Sequence, residues 1–115
     1  MTAPIFKILS ASAWADAVRD GVFRGAAVDL ADGYIHFSTA AQARETAAKH
    51  FAGQTGLVLV AIDPAQLGDK LVWEPSRGGA LFPHLYGPLD PALALSVTPL
   101  PLDAEGRHQF PDAIA

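Results

Sequence analysis

In DGYIHFST, Asp32–Thr39, a turn, a short strand and a helix start follow one another within eight residues. The Asp-Gly pair favours a tight turn, and Tyr34–Ser38 behind it is predicted to be a strand. Thr39 and Gln42 have the three-residue spacing of a capping box, so a helix is predicted behind them, to about Phe51. The segment therefore joins a strand to a helix, with one histidine and two hydroxyls at the junction.

The rest of the chain predicts short strands and one more main helix. Ser10 or Ser12 is expected to cap the first helix, with Gly21 as its stop and Trp14, Ala17 and Val18 on its inner face. Val22–Leu30 is predicted to be loosely extended. The predicted strands are Ile5–Leu9, Tyr34–Ser38, Leu57–Ile62, Leu71–Glu74, Phe82–Tyr86 and Leu93–Thr98. Two helices and about six strands in mixed order predict one α+β domain over residues 1–115, with a loop-rich tail from about residue 101.

Composition narrows the classes of function. The 115 residues carry a net charge of −4, half of them are apolar, and no block of Lys or Arg occurs. We therefore expect neither a nucleic acid nor an anionic membrane surface as partner, and no apolar run approaches the roughly 20 residues that span a bilayer. With no cysteine, disulfides and thiolate chemistry are excluded. The N-terminus lacks the basic start of a secretion signal, so we expect a mature cytoplasmic protein.

The polar side chains around the junction predict a pocket. Strand alternation places Tyr34, His36 and Ser38 on one face, opposite the apolar Ile35 and Phe37. The positive end of the following helix disfavours an imidazolium there, so a neutral His36 donating a hydrogen bond is expected, facing an anion or a carbonyl oxygen. The alternative is that His36 bonds a nearby backbone carbonyl, while Ser38 and the neighbouring Thr39 only cap the helix.

A second run repeats this pattern. Phe82, His84 and Tyr86 alternate onto one face, where aromatic rings beside a histidine can hold a flat ring by stacking. The alternative is a packed edge strand whose polar tips reach water.

Glu74 and Arg77 are further candidates. Glu74 follows the large aromatic Trp73, and partial burial would raise the pKa of its carboxyl and suit it to acid-base work. Arg77 could pair with Glu74 or hold a phosphate, the alternative being a surface ion pair. The four histidines lack the helical spacing of a zinc site, and no metal is predicted; only His36, Glu74 and His84 could form a three-ligand set through folding.

Several sequence segments together resemble the bacterial and plant family called domain of unknown function 952. They are Phe6–Ile8, Trp14, Asp32–Ser38 with Gln42, Leu71–Glu74 and Phe82–Leu89. The resemblance implies an ADP-ribosyltransferase-like fold, with a split sheet that cradles a nicotinamide dinucleotide.

The resemblance also implies roles for individual residues. Glu74 would be the catalytic carboxylate, His36 or Ser38 the polar group of the second strand, and Tyr34 or Tyr86 the stacking ring. Lys7 would take the first-strand position where such enzymes often carry Arg or His. The paired acidic motif that usually precedes the catalytic Glu is absent, since Trp73 stands before Glu74.

Three functions follow from these residues. The first is a binding module for NAD, ADP-ribose or a similar nucleotide. The second is an active ADP-ribosyl- or glycosyl-transfer enzyme with Glu74 and His36 as catalytic residues. The third is an interaction or structural domain without a ligand. Both pocket functions require His36, Glu74 and His84 to meet in one cleft.

Overall fold

The computed structural model describes residues 3–111 and forms an α+β fold, as predicted. Within this range are three α-helices, seven strands and several short 3-10 turns. In chain order they are β1 Ile5–Ser10, α1 Ala11–Asp20, α2 Ala27–Asp32, β2 Ile35–His36, β3 Ser38–Thr39, α3 Ala40–His50, β4 Leu57–Ile62, β5 Leu71–Pro75, β6 Leu81–Leu85 and β7 Ala94–Pro99. No helix in this part of the chain is long and apolar enough to cross a membrane.

The strands form two separate sheets. One has the order β3-β1-β4-β7 and the other β2-β6-β5, and all pairings between strands are antiparallel. Of the two arrangements open for the predicted sheet, mixed or antiparallel, the described strands form the antiparallel one. Strand β4 is buried along its whole length between β1 and β7, which confirms its predicted central place.

The division between the sheets falls inside the junction segment. Strand β2 pairs with β6, so that His36 lies opposite His84, whereas β3 pairs with β1, so that Ser38 lies opposite Phe6. Phe37 lies between them, and its backbone N–H donates to the carbonyl of Pro83 at 3.0 Å. The single predicted strand over 34–38 is therefore wrong: the chain passes from one sheet to the other at Phe37, whose side chain is buried.

The prediction of an extended Val22–Leu30 is also wrong, because helix α2 occupies its second half. Asp29 supports the start of this helix, since its Oδ2 accepts from the backbone N–H of Ala26 at 2.8 Å. Gly33 ends the helix with a φ of +90°, and its N–H donates to the Asp29 carbonyl. The Asp-Gly pair is thus a helix end rather than a hairpin turn.

The two longer helices begin as predicted. Ser10 caps α1 by accepting from the Ala13 N–H, and Gly21 ends it in the left-handed conformation. Thr39 and Gln42 form the reciprocal capping box of α3, which ends at His50. One residue of the predicted inner face of α1 is misplaced, because Val18 is 56% exposed.

Alternation along β4 builds a core on each face of the four-stranded sheet. Val58, Val60 and Ile62 pack into a cluster with α1, β2 and β6. The intervening residues of β4 pack against Ala43 and Ala47 of α3. In the predicted loop-rich tail, an isolated antiparallel bridge joins Leu102 to His108. A cavity opens between the two sheets, beside α2 and α3.

Candidate ligand-binding site

Asp29 is a buried carboxylate that connects β1, α2 and β2. Both of its oxygens lie 2.9 Å from Nζ of Lys7, and Oδ1 also accepts from the backbone N–H of His36 at 3.1 Å. Lys7 and Asp29 are only 4% and 2% exposed. Two charges at this depth are tolerated because they pair with each other and hydrogen bonds satisfy the carboxylate.

The partners of Asp29 determine its ionisation. Burial raises the pKa of its carboxyl, but the hydrogen bond from His36, the charge of Lys7 and the N–H of Ala26 outweigh it and lower the pKa to about 2. Burial lowers the pKa of Lys7, and Asp29 opposes that shift. The pair is thus a fixed ionic support for the segment that carries His36.

His36 lies between two carboxylates. Its Nδ1 is 2.6 Å from Oδ1 of Asp29 and its Nε2 is 2.9 Å from Oδ2 of Asp32. A carboxylate only accepts hydrogen bonds, so the ring donates to both only as an imidazolium. The expected neutral His36, directed by the N-terminus of α3, is therefore not what the geometry favours. The ring is directed instead by the two acidic residues of α2.

His84, Glu74 and Tyr86 form a second group across β5 and β6. Nδ1 of His84 lies 2.8 Å from Oε1 of Glu74, and the Tyr86 hydroxyl donates to the same oxygen at 2.7 Å. These two hydrogen bonds lower the pKa of Glu74 against the opposing effect of burial, and the carboxylate in turn raises the pKa of Tyr86 to about 12. The predicted raised pKa of Glu74 is wrong in sign, because neighbours distant in sequence outweigh Trp73.

Tyr34 joins the two groups into a cluster of four rings. Its ring stacks on His84 with centroids 4.1 Å apart, and lies 4.6 Å from His36 and 5.2 Å from Tyr86. The two imidazoles are 5.5 Å apart, edge to face. We call Tyr34, His36, His84 and Tyr86 the ring cluster. Burial and the charges of nearby carboxylates raise the pKa of Tyr34.

A cavity of about 460 Å³ opens beside the ring cluster, between the two sheets and α3. Its lining among the described residues is Phe6, Lys7, Ile8, Val28, Asp32, Tyr34, His36, Phe37, Ser38, Thr46, His50, Phe51, Ser76, Phe82 and His84. The structure therefore brings Tyr34, His36, Ser38 and His84 to one cavity. Of the three groups expected to meet in one cleft, His36 and His84 line this cavity, whereas Glu74 lies outside the lining and reaches it only through its 2.8 Å contact with His84. Tyr86 is also outside the lining. From α3, the later turns line the cavity through Thr46 and His50, and its N-terminus does not.

Three further predicted site residues differ in their outcome. Thr39 is not part of the lining, because its hydroxyl caps α3. Ser38 does line the cavity, and its hydroxyl is 2.8 Å from that of Thr46. The side chain of Arg77 is outside the part of the chain that the structure describes. No group of three or more side chains placed to hold a metal occurs within residues 3–111.

Asp29 and Asp32 are the site residues that the sequence did not reveal. Asp29 acts on Lys7, which is 22 residues away, so no local spacing indicates the pair. One weak signal exists at Gly25: its φ is +127°, and a Cβ there would come within 2.8 Å of Cβ of Asp29. The spacing of four residues between Gly25 and Asp29 is the sequence signal for the close approach of Asp29 to the backbone at Gly25.

Fold and site together define a small α+β protein whose antiparallel strands divide around a polar and aromatic cavity. A family model described as Protein of unknown function (DUF952) matches residues 8–97, and the chain belongs to that family.

Solved structures of protein CC0527 from Caulobacter crescentus share the whole fold. The crystal structure is 52% identical with a TM-score of 0.93, covering 97% of this chain and 98% of that one. The solution NMR structure is 53% identical with a TM-score of 0.87 and covers 97% of both chains. No curated protein matches the chain.

Proposed function

We propose that the protein binds a small molecule with a flat ring, of the NAD or ADP-ribose kind, and that it does so without catalysis. The observation that carries this proposal is the convergence of Tyr34, His36 and His84 on one cavity. Its volume of about 460 Å³ falls within the roughly 300–1,000 Å³ of small-molecule sites. A lining of aromatic rings with a few fixed polar groups is the usual composition of such sites.

Charge indicates which part of the ligand enters. Lys7 is neutralised by Asp29, and His36 faces Asp29 and Asp32. The inner wall therefore attracts anions weakly, and the rings of Tyr34 and Phe82 in the lining offer apolar contact surface. The ring of the ligand then lies inside, and its phosphates stay at the rim in water.

The position of Glu74 favours binding over ribosyl transfer. Transfer needs a carboxylate next to the ribose hydroxyls, where positive charge develops in the transition state. Oε1 of Glu74 already accepts from His84 and Tyr86, and Glu74 is absent from the lining. Glu74 acts on the cavity through His84, whose ring it orients, and is therefore a positioning residue in this site.

Thermal unfolding with NAD, ADP-ribose, nicotinamide and AMP tests the proposal. A ligand at about 100 times its Kd stabilises the folded state by about 2.7 kcal/mol, so the Tm rises by several degrees. The shift should disappear in Tyr34→Ala and persist in Leu95→Ala, whose side chain is 62% exposed and outside the lining. The absence of a shift with every ligand contradicts the proposal.

Turnover separates binding from catalysis. Nicotinamide release from NAD is measured for the unchanged protein and for Glu74→Gln. We expect no release above background in either. Release that disappears in Glu74→Gln with the fold intact would support the transferase alternative instead.

A further inference from the structure

We infer that the ligand donates a hydrogen bond to Nε2 of His84, so that its ring carries an amide or amine N–H rather than a group that only accepts. This inference rests on the proposed function and names the chemical group that the ligand's ring carries on the edge facing His84. It follows from the hydrogen bonds that His84 already makes.

Glu74 determines the tautomer of His84. Its Nδ1 lies 2.8 Å from Oε1 of Glu74, an oxygen that also receives the Tyr86 hydroxyl at 2.7 Å. An ionised carboxylate has no proton to give, so the proton in the His84–Glu74 bond belongs to Nδ1. In the neutral ring, Nε2 then holds a lone pair and is an acceptor.

Nε2 of His84 is an acceptor without a described donor. His84 is 4% exposed and lines the cavity. Among the side chains and backbone groups that the structure describes, none bonds its Nε2. A buried acceptor without a donor costs free energy, and a water or ligand N–H removes that cost. A ligand that displaces the water must bring a donor of its own, or it loses affinity.

The orientation of the His84 ring fixes the direction from which a donor reaches Nε2. The Tyr34 ring stacks on one face of His84 and the Glu74 bond fixes its rotation. The lone pair of Nε2 lies in the imidazole plane, so the donor must approach in that plane. Asp32 also lines the cavity and repels a carboxylate on the ligand. A carboxamide or an aromatic amine meets both conditions.

The tautomer is measured first, by long-range ¹H–¹⁵N correlation spectra of the imidazoles at pH 8 without any ligand. His84 should show a protonated Nδ1 and a bare Nε2. His108 is a control in the same spectrum, because its Nε2 lies 2.8 Å from the Gln54 carbonyl and must carry the proton. A protonated Nε2 on His84 overturns the inference. In Glu74→Ala, the His84 pattern should move toward the Nε2–H form.

The ligand edge is then tested with nicotinamide and 3-acetylpyridine, which share a ring and a carbonyl but differ in the N–H donor. We expect nicotinamide to bind about tenfold more tightly, since 3-acetylpyridine leaves the acceptor unpaired. In His84→Phe the preference should disappear. Equal binding to the unchanged protein overturns the inference and leaves the proposed function standing. If no ring compound binds at all, both fail.

Discussion

Two histidine-centred groups face each other across β2 and β6. They differ in how many of their hydrogen-bonding atoms have a partner. In the Lys7–Asp29–His36 group, the carboxylate is buried and both nitrogens of His36 face carboxylates. In the His84–Glu74–Tyr86 group, the carboxylate is on the outer side and Nε2 of His84 faces no described partner. The first group therefore supports the fold, and the second leaves the atom that we propose as the ligand's acceptor.

The largest expected effect is on the first group. Asp29→Ala leaves the Lys7 charge buried and unpaired, and breaking a buried pair in this way costs about 3–5 kcal/mol. Urea unfolding measures the loss. Asp16→Ala is the matched control, since Asp16 forms an exposed pair with Arg19 and should cost less than about 1 kcal/mol. Equal losses in the two variants would show that Asp29 is not the support that its contacts indicate.

Acid unfolding also tests how much Asp29 stabilises the fold. The folded pKa of Asp29 is about 2, below the roughly 3.9 of an unfolded aspartate. The unfolded chain therefore binds more protons between these values, and the stability from Asp29 is present above about pH 4 and lost as the pH falls through about 2. The stability difference between the unchanged protein and Asp29→Asn should shrink over this window. A difference that is constant from pH 5 to pH 2 contradicts the linkage.

A backbone variant tests how closely Asp29 is held. In Gly25→Ala the new Cβ meets Cβ of Asp29 at 2.8 Å, at a φ of +127° that disfavours a side chain. We expect a loss of about 1–3 kcal/mol, from overpacking and backbone strain together. Gly106→Ala is the control, because its φ is +81° but nothing lies within 4 Å. It should lose only the backbone part, about 1 kcal/mol.

Local features of this fold could be predicted from sequence, and pairings across the chain could not. The capping box of Thr39 and Gln42 and the buried strand Leu57–Ile62 depend on neighbours within a few residues, and both are confirmed. The split of residues 34–38 between two sheets depends on which strand each half pairs with. Alternation along a sequence carries no information about the pairing partner.

The candidate site shows the same limit. Alternation placed His36 and His84 on polar faces, and the β2–β6 register then brings them opposite each other. The chemistry of each histidine depends on acids from other elements, Asp29 for one and Glu74 for the other. The pKa of Glu74 was predicted with the wrong sign because its sequence neighbour Trp73 has less influence than Tyr86, which is 12 residues away.

The smallest expected effect is on the outer group. The Glu74 carboxylate holds the pKa of Tyr86 at about 12, chiefly by accepting its proton in a hydrogen bond. Glu74→Gln removes that charge, so the pKa of Tyr86 should return toward its ordinary value of about 10. The ¹³Cζ shift of each tyrosine against pH measures this. The pKa of Tyr34, which Glu74 raises through its charge and not through a hydrogen bond, should fall by less than that of Tyr86. Because Glu74 and Tyr86 both reach solvent, the Tm should change far less than in Asp29→Ala. A loss of stability as large as that of Asp29→Ala would mean that both groups support the fold and that His84 is not reserved for a ligand.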